Sequence, residues 1–252
     1  MPVLQPAKST HILDLPGGRE VLLNLRRSAK ARHILIKIND ANGKVELVLP
    51  RRAAIRDGLT FANERAGWIE KQLSALPAPV PFQAGTVLQL MGEPLLLARR
   101  QGGAKRLRRI GGLLEVPGED AQFAGHVQCW LVAEARREIG ERAESLAARI
   151  GRPVHHVAIR DTATRWGSCS AAGNLSFSWR LILAPPRVLN YVVAHEVAHL
   201  NEMNHSASFW HLVTELVGDP SCERLWLRRN GSQLKRYGRQ DPRLVPQPCS
   251  TP

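Results

Sequence analysis

Apolar and polar residues alternate over short stretches in the first half of the chain, which is the period of a β-strand. Val45, Leu47 and Leu49 occupy every second position of one such stretch. The segment Asp40-Ala41-Asn42-Gly43 just before it has the composition of a tight turn and predicts a hairpin. Further strands are predicted over residues 21–25, 33–38, 87–91, 95–99, 105–110 and 113–116.

Two longer segments have helical spacing instead. Apolar residues recur every three or four positions between residues 52 and 76, and again between residues 125 and 150. Each pattern predicts one amphipathic helix. The segment Pro77-Ala78-Pro79-Val80-Pro81 cannot continue the first helix and is interpreted as a short linker.

Residues 174–183 alternate again and predict a half-buried strand, whose edge, if free, can pair with an extended peptide. A helix is predicted from about residue 186 to residue 203. A last helix is predicted to begin near Ser206, a good N-cap, and to end at Gly218. The expected architecture is α+β, with a β-rich basic region containing one helix over residues 1–118 and a catalytic domain over residues 119–252.

The net charge of +13 is distributed unevenly along the 252 residues. Residues 1–118 hold 19 basic and 9 acidic side chains, whereas residues 119–252 hold 16 and 13. The basic N-terminal region is therefore expected to contact a polyanion, such as nucleic acid, a nucleotide or an acidic protein. The alternative is a solvated basic face without a specific partner.

No apolar run reaches the roughly 18 residues of a membrane helix, and residues 1–10 lack a signal-peptide pattern. The four cysteines, at positions 129, 169, 222 and 249, form no paired motif. These features predict a cytoplasmic protein with reduced thiols and no membrane contact.

The residues with the clearest chemistry are His195-Glu196-Val197-Ala198-His199, an HExxH pattern within a predicted helix. Positions i and i+4 lie on one helix face, so the two imidazoles can reach one zinc ion. Glu196 is then placed to take a proton from a metal-bound water. The alternative is a chance pattern, but two buried histidines and a buried glutamate without partners would be costly.

A catalytic zinc needs a third protein ligand, and His205 is the preferred candidate. It lies just past the end of the predicted helix, where the chain can turn back toward the metal. His211 and Glu215 are competitors, although both project away from the apolar stripe of the last helix, which favours solvent.

Three runs together carry a family resemblance. Residues 164–170 read TRWGSCS, residues 191–200 read YVVAHEVAHL, and Asn204-His205-Ser206 precedes Phe209-Trp210. In these runs the chain resembles the YgjP-like metallopeptidases, a family related to SprT-like zinc proteins. The resemblance implies a zincin-like α+β fold, zinc on His195, His199 and His205, and Glu196 as general base. It also implies a hydrolase whose natural substrates are poorly defined. Some relatives are associated with hydrolysis of nucleoside triphosphates, which keeps a phosphoanhydride substrate open.

Other residues in these runs have two interpretations each. Tyr191 lies one helical turn before His195 and either donates to a developing oxyanion or packs with its hydroxyl at the surface. Arg165 either binds a carboxylate or phosphate or forms a structural ion pair. Trp166 is expected in the core, and Cys169 is expected to be a small buried residue rather than a metal-poised thiol.

Three functions are compatible with these residues. The leading one is a zinc-dependent metallopeptidase, acting on a peptide or small-molecule substrate. The second uses the same metal as a nucleoside triphosphate pyrophosphatase, helped by Arg165 or the basic N-terminal strands. The third is a zinc-stabilised module that binds nucleic acid or an acidic partner through Arg26, Arg27, Arg51 and Arg52. A structural site would normally fill its fourth position with a protein ligand, which ranks the third lowest.

Overall fold

The computed structural model describes residues 10–39, 43–100, 102, 106–162 and 165–238. The chain divides into two compact units, residues 1–78 and residues 79–252. This division falls inside the predicted proline-rich linker and not at residue 118. The reason is that the strands between residues 87 and 116 bury their apolar side chains in the core of the second unit.

The first unit combines one sheet with two helices. Its strands are β1 (Thr10–Asp14), β2 (Glu20–Ser28), β3 (Leu35–Ile38) and β4 (Val45–Pro50), in the order β1-β2-β4-β3. β3 and β4 pair antiparallel, as a hairpin requires, although turn residues 40–42 lie outside the described residues. Leu23, Leu25 and Leu47 form part of its buried core.

The prediction of a single helix over residues 52–76 is wrong in one respect. The structure has two helices, α1 (Ile55–Glu64) and α2 (Ala66–Ser74), which meet at Arg65. Arg65 has φ −100° and ψ 7°, outside the helical range, and its N–H donates to the carbonyls of Phe61 and Ala62. The apolar period continues across this break, so the sequence pattern does not reveal it.

The second unit begins with a four-stranded sheet and a long helix. The strands are β5 (Val87–Leu90), β6 (Glu93–Arg99), β7 (Arg108–Ile110) and β8 (Leu113–Val116), in the order β5-β6-β8-β7. Helix α3 (Asp120–Arg149) begins earlier than the apolar pattern indicates. One stripe of α3, including Val127, Leu131 and Ile139, is fully buried in the same core as the sheet.

A three-stranded sheet follows, made of β9 (His156–Arg160), β10 (Gly167–Cys169) and β11 (Asn174–Ser178). Its order is β10-β11-β9, with β10 antiparallel and β9 parallel to β11. The strand predicted over residues 174–183 is therefore shorter than expected, and it is central, not a free edge. Residues Trp179–Leu183 form a 3-10 helix and are all buried, because the chain turns into the core after Ser178.

Three helices complete the second unit: α4 (Pro186–Ala198), α5 (Ala207–Val217) and α6 (Ser221–Leu234). α4 ends before the predicted residue 203, and α5 lies where the sequence predicts it. The Ser206 hydroxyl accepts the Phe209 N–H at 3.3 Å, and Gly218 ends α5 with φ 79°. The mixed α+β architecture is as predicted. Among the described helices, none combines the length and apolar character of a membrane span.

Candidate metal centre

Three imidazoles converge where α4 ends. His195 lies in the last turn of α4, His199 follows at its C-terminal end, and His205 lies in the connection to α5. One ring nitrogen from each falls within 4.8 Å of the others. The Nε2 atoms of His195 and His205 are 3.1 Å apart. Helical spacing brings the first two rings together, and the turn before Ser206 adds the third.

These rings fit the geometry and chemistry of a zinc site. Zinc–nitrogen bonds of 2.0–2.1 Å at tetrahedral angles place two ligand nitrogens about 3.4 Å apart, close to the 3.1 Å between His195 and His205. The Nδ1 atom of His199 lies 2.9 Å from the Glu202 carbonyl. A carbonyl only accepts hydrogen bonds, so Nδ1 carries the proton and the Nε2 lone pair is left for an ion.

His195 is electrostatically prepared to bind a cation as a neutral ring. Burial, and then the neighbouring charges of His199 and His205, lower its pKa from 6.5 to about 4. Its Nδ1 atom is buried and has no hydrogen-bond partner among the described residues. At neutral pH the ring is therefore uncharged, which is the form that binds metals.

Phe209 holds the three rings in place. Its own ring is fully buried, and its centroid lies 4.9 Å from that of His195, 4.6 Å from His199 and 4.7 Å from His205. The Ser206 cap fixes the first turn of α5, which carries Phe209. One short segment thus supplies both a candidate ligand and the aromatic surface that the ligands contact.

Glu196 directly follows His195 in α4 and is buried, with 6% of its surface exposed. Burial raises its pKa from 4.5 to about 7, and the positive charge of Arg165 opposes that rise. Its carboxylate lies against Gly167 of β10, where an added methyl would come within 2.6 Å of Oε1. A carboxylate that titrates near neutral pH is suited to general acid–base work.

The two competitors for the third ligand position are not part of the cluster. His211 and Glu215 are both exposed on α5, and the group of converging nitrogens contains neither. The structure therefore brings together His195, His199 and His205, the three histidines that the sequence favours as ligands.

Tyr191 and Arg165 both lie near the cluster. The Tyr191 ring centroid is 6.0 Å from that of His195, and burial raises the pKa of its hydroxyl, which stays protonated at neutral pH. No ion pair joins Arg165 to another residue that the structure describes. Burial and the charge of Glu196 raise the pKa of Cys169, which disfavours a metal-binding thiolate there. Trp166 is half-buried and packs at the border of the core, as expected.

Some neighbours of the cluster have no signal in the sequence pattern. Arg224 of α6 lies with its guanidinium carbon 4.6 Å from the Trp210 ring centroid. Its charge adds to the effect of burial and the neighbouring histidines in lowering the pKa of His195, and it opposes the rise that burial causes in the pKa of Tyr191. Gly167 and Phe209 both belong to the runs that carry the family resemblance, yet their packing roles need the fold to be seen. The Glu202 carbonyl is a backbone group, which no side-chain pattern identifies.

The cations proposed for polyanion binding are partly engaged within the first unit. Arg26 forms an ion pair with Glu46 at 3.0 Å. Arg27 donates to the backbone carbonyls of Pro50, Arg51 and Ala53, so it fixes the chain after β4. Arg51 and Arg52 are exposed. Contact between this region and a polyanion stays a prediction.

One of the comparisons with known proteins identifies a family. The family model described as YgjP-like, metallopeptidase domain, matches residues 32–230, which is well over half of the chain. Among solved structures, the metallopeptidase zymogen abylysin of Pyrococcus abyssi is similar at 21% identity over 37% of this chain and 92% of that chain, with a TM-score of 0.33. The comparison with curated proteins finds no match.

Proposed function

The chain belongs to the YgjP-like metallopeptidase family, and we propose that it hydrolyses peptide bonds at a zinc ion held by His195, His199 and His205. The observation that carries this proposal is the convergence of three ring nitrogens within 4.8 Å, with the buried Glu196 directly after His195 on the same helix. The arrangement is zincin-like, since both helical histidines and the glutamate come from one helix end.

Each side chain has a distinct role in the reaction. When bound, a zinc ion would polarise the scissile carbonyl and acidify a water molecule. Glu196 takes the proton from the attacking water and passes it to the leaving amine, for which a pKa of about 7 is well matched. The Tyr191 hydroxyl and Arg224 are the groups we assign to the developing oxyanion, because the Tyr191 ring lies 6.0 Å from that of His195 and the charge of Arg224 acts on both residues.

A peptide substrate is supported by the strand beside Glu196. β10 pairs with β11 on one side, and its other side has no strand partner among the described residues. An extended peptide can add to such an edge through backbone hydrogen bonds. Because Gly167 of β10 contacts Glu196, a chain bound there would pass close to the carboxylate.

The test is hydrolysis of a peptide library by the zinc-loaded full chain, beside Glu196→Gln. We expect cleavage by the wild type and a loss of at least about a hundredfold in kcat with Glu196→Gln, since general base catalysis contributes 10²–10⁴-fold. Zinc content of the variant should equal that of the wild type. Cleavage that persists in Glu196→Gln, or no cleavage by the zinc-loaded wild type, contradicts the proposal.

A second candidate function uses the same residues on a phosphoanhydride bond. It is favoured by the positive charge of Arg165 close to Glu196. Release of pyrophosphate from nucleoside triphosphates, abolished in Glu196→Gln, would support it over the peptidase. The third candidate, a binding module, is weakened by the ion pair of Arg26 and the backbone contacts of Arg27.

A further inference from the structure

A cavity of about 650 Å³ lies against the three-stranded sheet. Ala158, Ser176 and Ser168 are opposite one another across β9, β11 and β10. Arg160 and His156 lie on the same face as Ala158, because side chains alternate along a strand. This face is polar, whereas the intervening residues of the strands pack on the hydrophobic core.

The cavity carries positive charge and many hydrogen-bond donors. Arg160 and Arg165 both line it and both are exposed, and none of the lining residues is acidic. Asp161, the acidic neighbour of Arg160, is bound by the buried guanidinium of Arg180. Neither Arg160 nor Arg165 has an ion-pair partner within the described part of the chain. Neither guanidinium group is thus held in an ion pair, although the charge of Arg165 also acts on Glu196.

Arg165 is held at the rim of the cavity by its backbone. The Thr162 hydroxyl donates to the Arg165 carbonyl at 2.5 Å, and the Arg180–Asp161 ion pair anchors the strand end just before it. The backbone at Arg165 and beside Arg160 is therefore tied by these contacts. Such pre-organisation lowers the entropic cost of binding an anion.

Strand β10 separates the cavity from the catalytic carboxylate. Gly167 and Cys169 line the cavity, and Gly167 contacts Glu196 on its other side. A second hollow of about 350 Å³ shares Ser170 with the first and includes His199. A peptide lying along the edge of β10 would present alternate side chains to the two faces of the sheet, one toward this cavity and the next toward the face where Glu196 lies.

We propose that this cavity is a substrate subsite for acidic side chains, so that the protein acts on peptides carrying Asp or Glu close to the scissile bond. The inference rests on the proposed peptidase function and names its substrate class. Guanidinium groups bind carboxylates through paired, charge-assisted hydrogen bonds, and the serine hydroxyls and Asn174 amide can complete the shell.

A peptide carboxylate fits this setting better than a nucleotide phosphate. The free side of β10 offers backbone partners to an extended chain, and side chains of such a chain alternate toward and away from the sheet. A residue of a peptide paired with β10 that points to the Ser168 side of the sheet would then enter the cavity from this edge. The described cavity has no glycine-rich loop at a helix N-terminus of the kind that cradles phosphates.

The first experiment measures binding without turnover, with zinc-loaded Glu196→Gln full chain and fluorescent decapeptides. One Glu is moved through the peptide one position at a time, and each peptide has a matched partner with Gln. We expect at least one position where the Glu peptide binds about tenfold more tightly. Adding Arg160→Gln or Arg165→Gln should reduce this ratio toward one. Arg136→Gln, an exposed cation of α3 outside the cavity, should keep it.

Two further measurements in the same binding assay use a charge-reversed variant and a nucleoside triphosphate. Arg160→Glu should make a Lys peptide bind better than the Glu peptide at the preferred position. Equal binding of Glu and Gln peptides, or a preference that survives both single substitutions, overturns the subsite. The subsite is also overturned if a nucleoside triphosphate binds more tightly than the best Glu peptide and if this binding is lost in Arg160→Gln.

Turnover separates the two proposals. If the zinc-loaded wild type cleaves peptides without any acidic preference, the peptidase stands and the subsite fails. If it cleaves none, but the Arg160-dependent preference in binding persists, the cavity stands and the peptidase fails. With both correct, Arg160→Gln should raise KM for the Glu peptide far more than it lowers kcat.

Discussion

Gly167 and Glu196 are packed so closely that a methyl group on Gly167 would lie 2.5 Å from Cγ and 2.6 Å from Oε1 of Glu196. Glycine is required here by space and not by backbone conformation, since a side chain would push the carboxylate aside. The strand and the helix end are in direct contact at this point. A side chain added at Gly167 would therefore displace the proposed base.

Gly167→Ala is therefore expected to lower kcat by roughly a hundredfold, since small displacements of a catalytic group have effects of this size. Zinc binding should be retained, because the histidines are not displaced. The matched control is Gly125→Ala in α3, where the added methyl meets no neighbour. Wild-type kinetics in Gly167→Ala would show that the carboxylate can move without consequence.

Phe209→Leu should weaken zinc binding by about ten- to a hundredfold, the usual effect of removing a group that orients metal ligands. Titration with a competing chelator measures it. Phe123→Leu is the control, because Phe123 is equally buried in the same core but contacts none of the three histidines. Both variants should lose stability on the order of 1 kcal/mol. Equal zinc affinities in the two variants would contradict the orienting role.

Zinc should stabilise the wild type by about 2.7 kcal/mol at a hundredfold excess over its Kd. Denaturant unfolding with zinc or with a chelator gives this difference. His205→Ala should remove most of it, whereas His211→Ala, which changes an exposed histidine outside the cluster, should leave it intact. The opposite ranking would assign the third ligand to His211.

The metal-free protein should reveal the unusual pKa of Glu196. Its folded value of about 7 exceeds the ordinary 4.5, so the protonated carboxyl stabilises the fold below pH 4.5 and this contribution is lost as the pH rises through 7. The Glu196→Gln variant has no ionisable group at this position, so it does not lose this stability as the pH rises. The stability of Glu196→Gln relative to the wild type should thus increase between pH 4.5 and 7, by on the order of 3 kcal/mol.

Chemical denaturation at several pH values tests this difference. His195 titrates in both proteins, and its lowered pKa acts in the opposite direction, with stability lost as the pH falls through about 4. Comparing the two proteins at each pH cancels that shared contribution. A difference that is flat with pH would mean that Glu196 titrates normally in the folded protein.

The candidate site could be predicted because its chemistry is local in sequence. His195, Glu196 and His199 follow from helical spacing, and His205 follows from its place before the Ser206 cap. The contact of Gly167 with Glu196 joins residues far apart in the chain, so no periodicity contains it. The Glu202 carbonyl that orients His199 is equally invisible, because every residue has a carbonyl.

The fold was predictable where burial follows a regular period, as in α3 and α5. The prediction failed where the position of an element depends on its neighbours in the fold. β11 alternates as an edge strand would, but β9 and β10 flank it, and the three residues of β10 are too short to show a period. α6 has few apolar residues and buries only Gly231 and Leu234, so its helical pattern is weak.

The shortness of β10 also limits how the backbone of a peptide substrate can be recognised. Three residues span roughly 10 Å at the rise of a β-strand, which leaves room for only a few backbone hydrogen bonds. Backbone pairing of this length gives little affinity and no preference among sequences. Discrimination would then fall to side-chain pockets on either side of the cut, and an enzyme built this way should prefer unfolded or flexible segments over rigid ones.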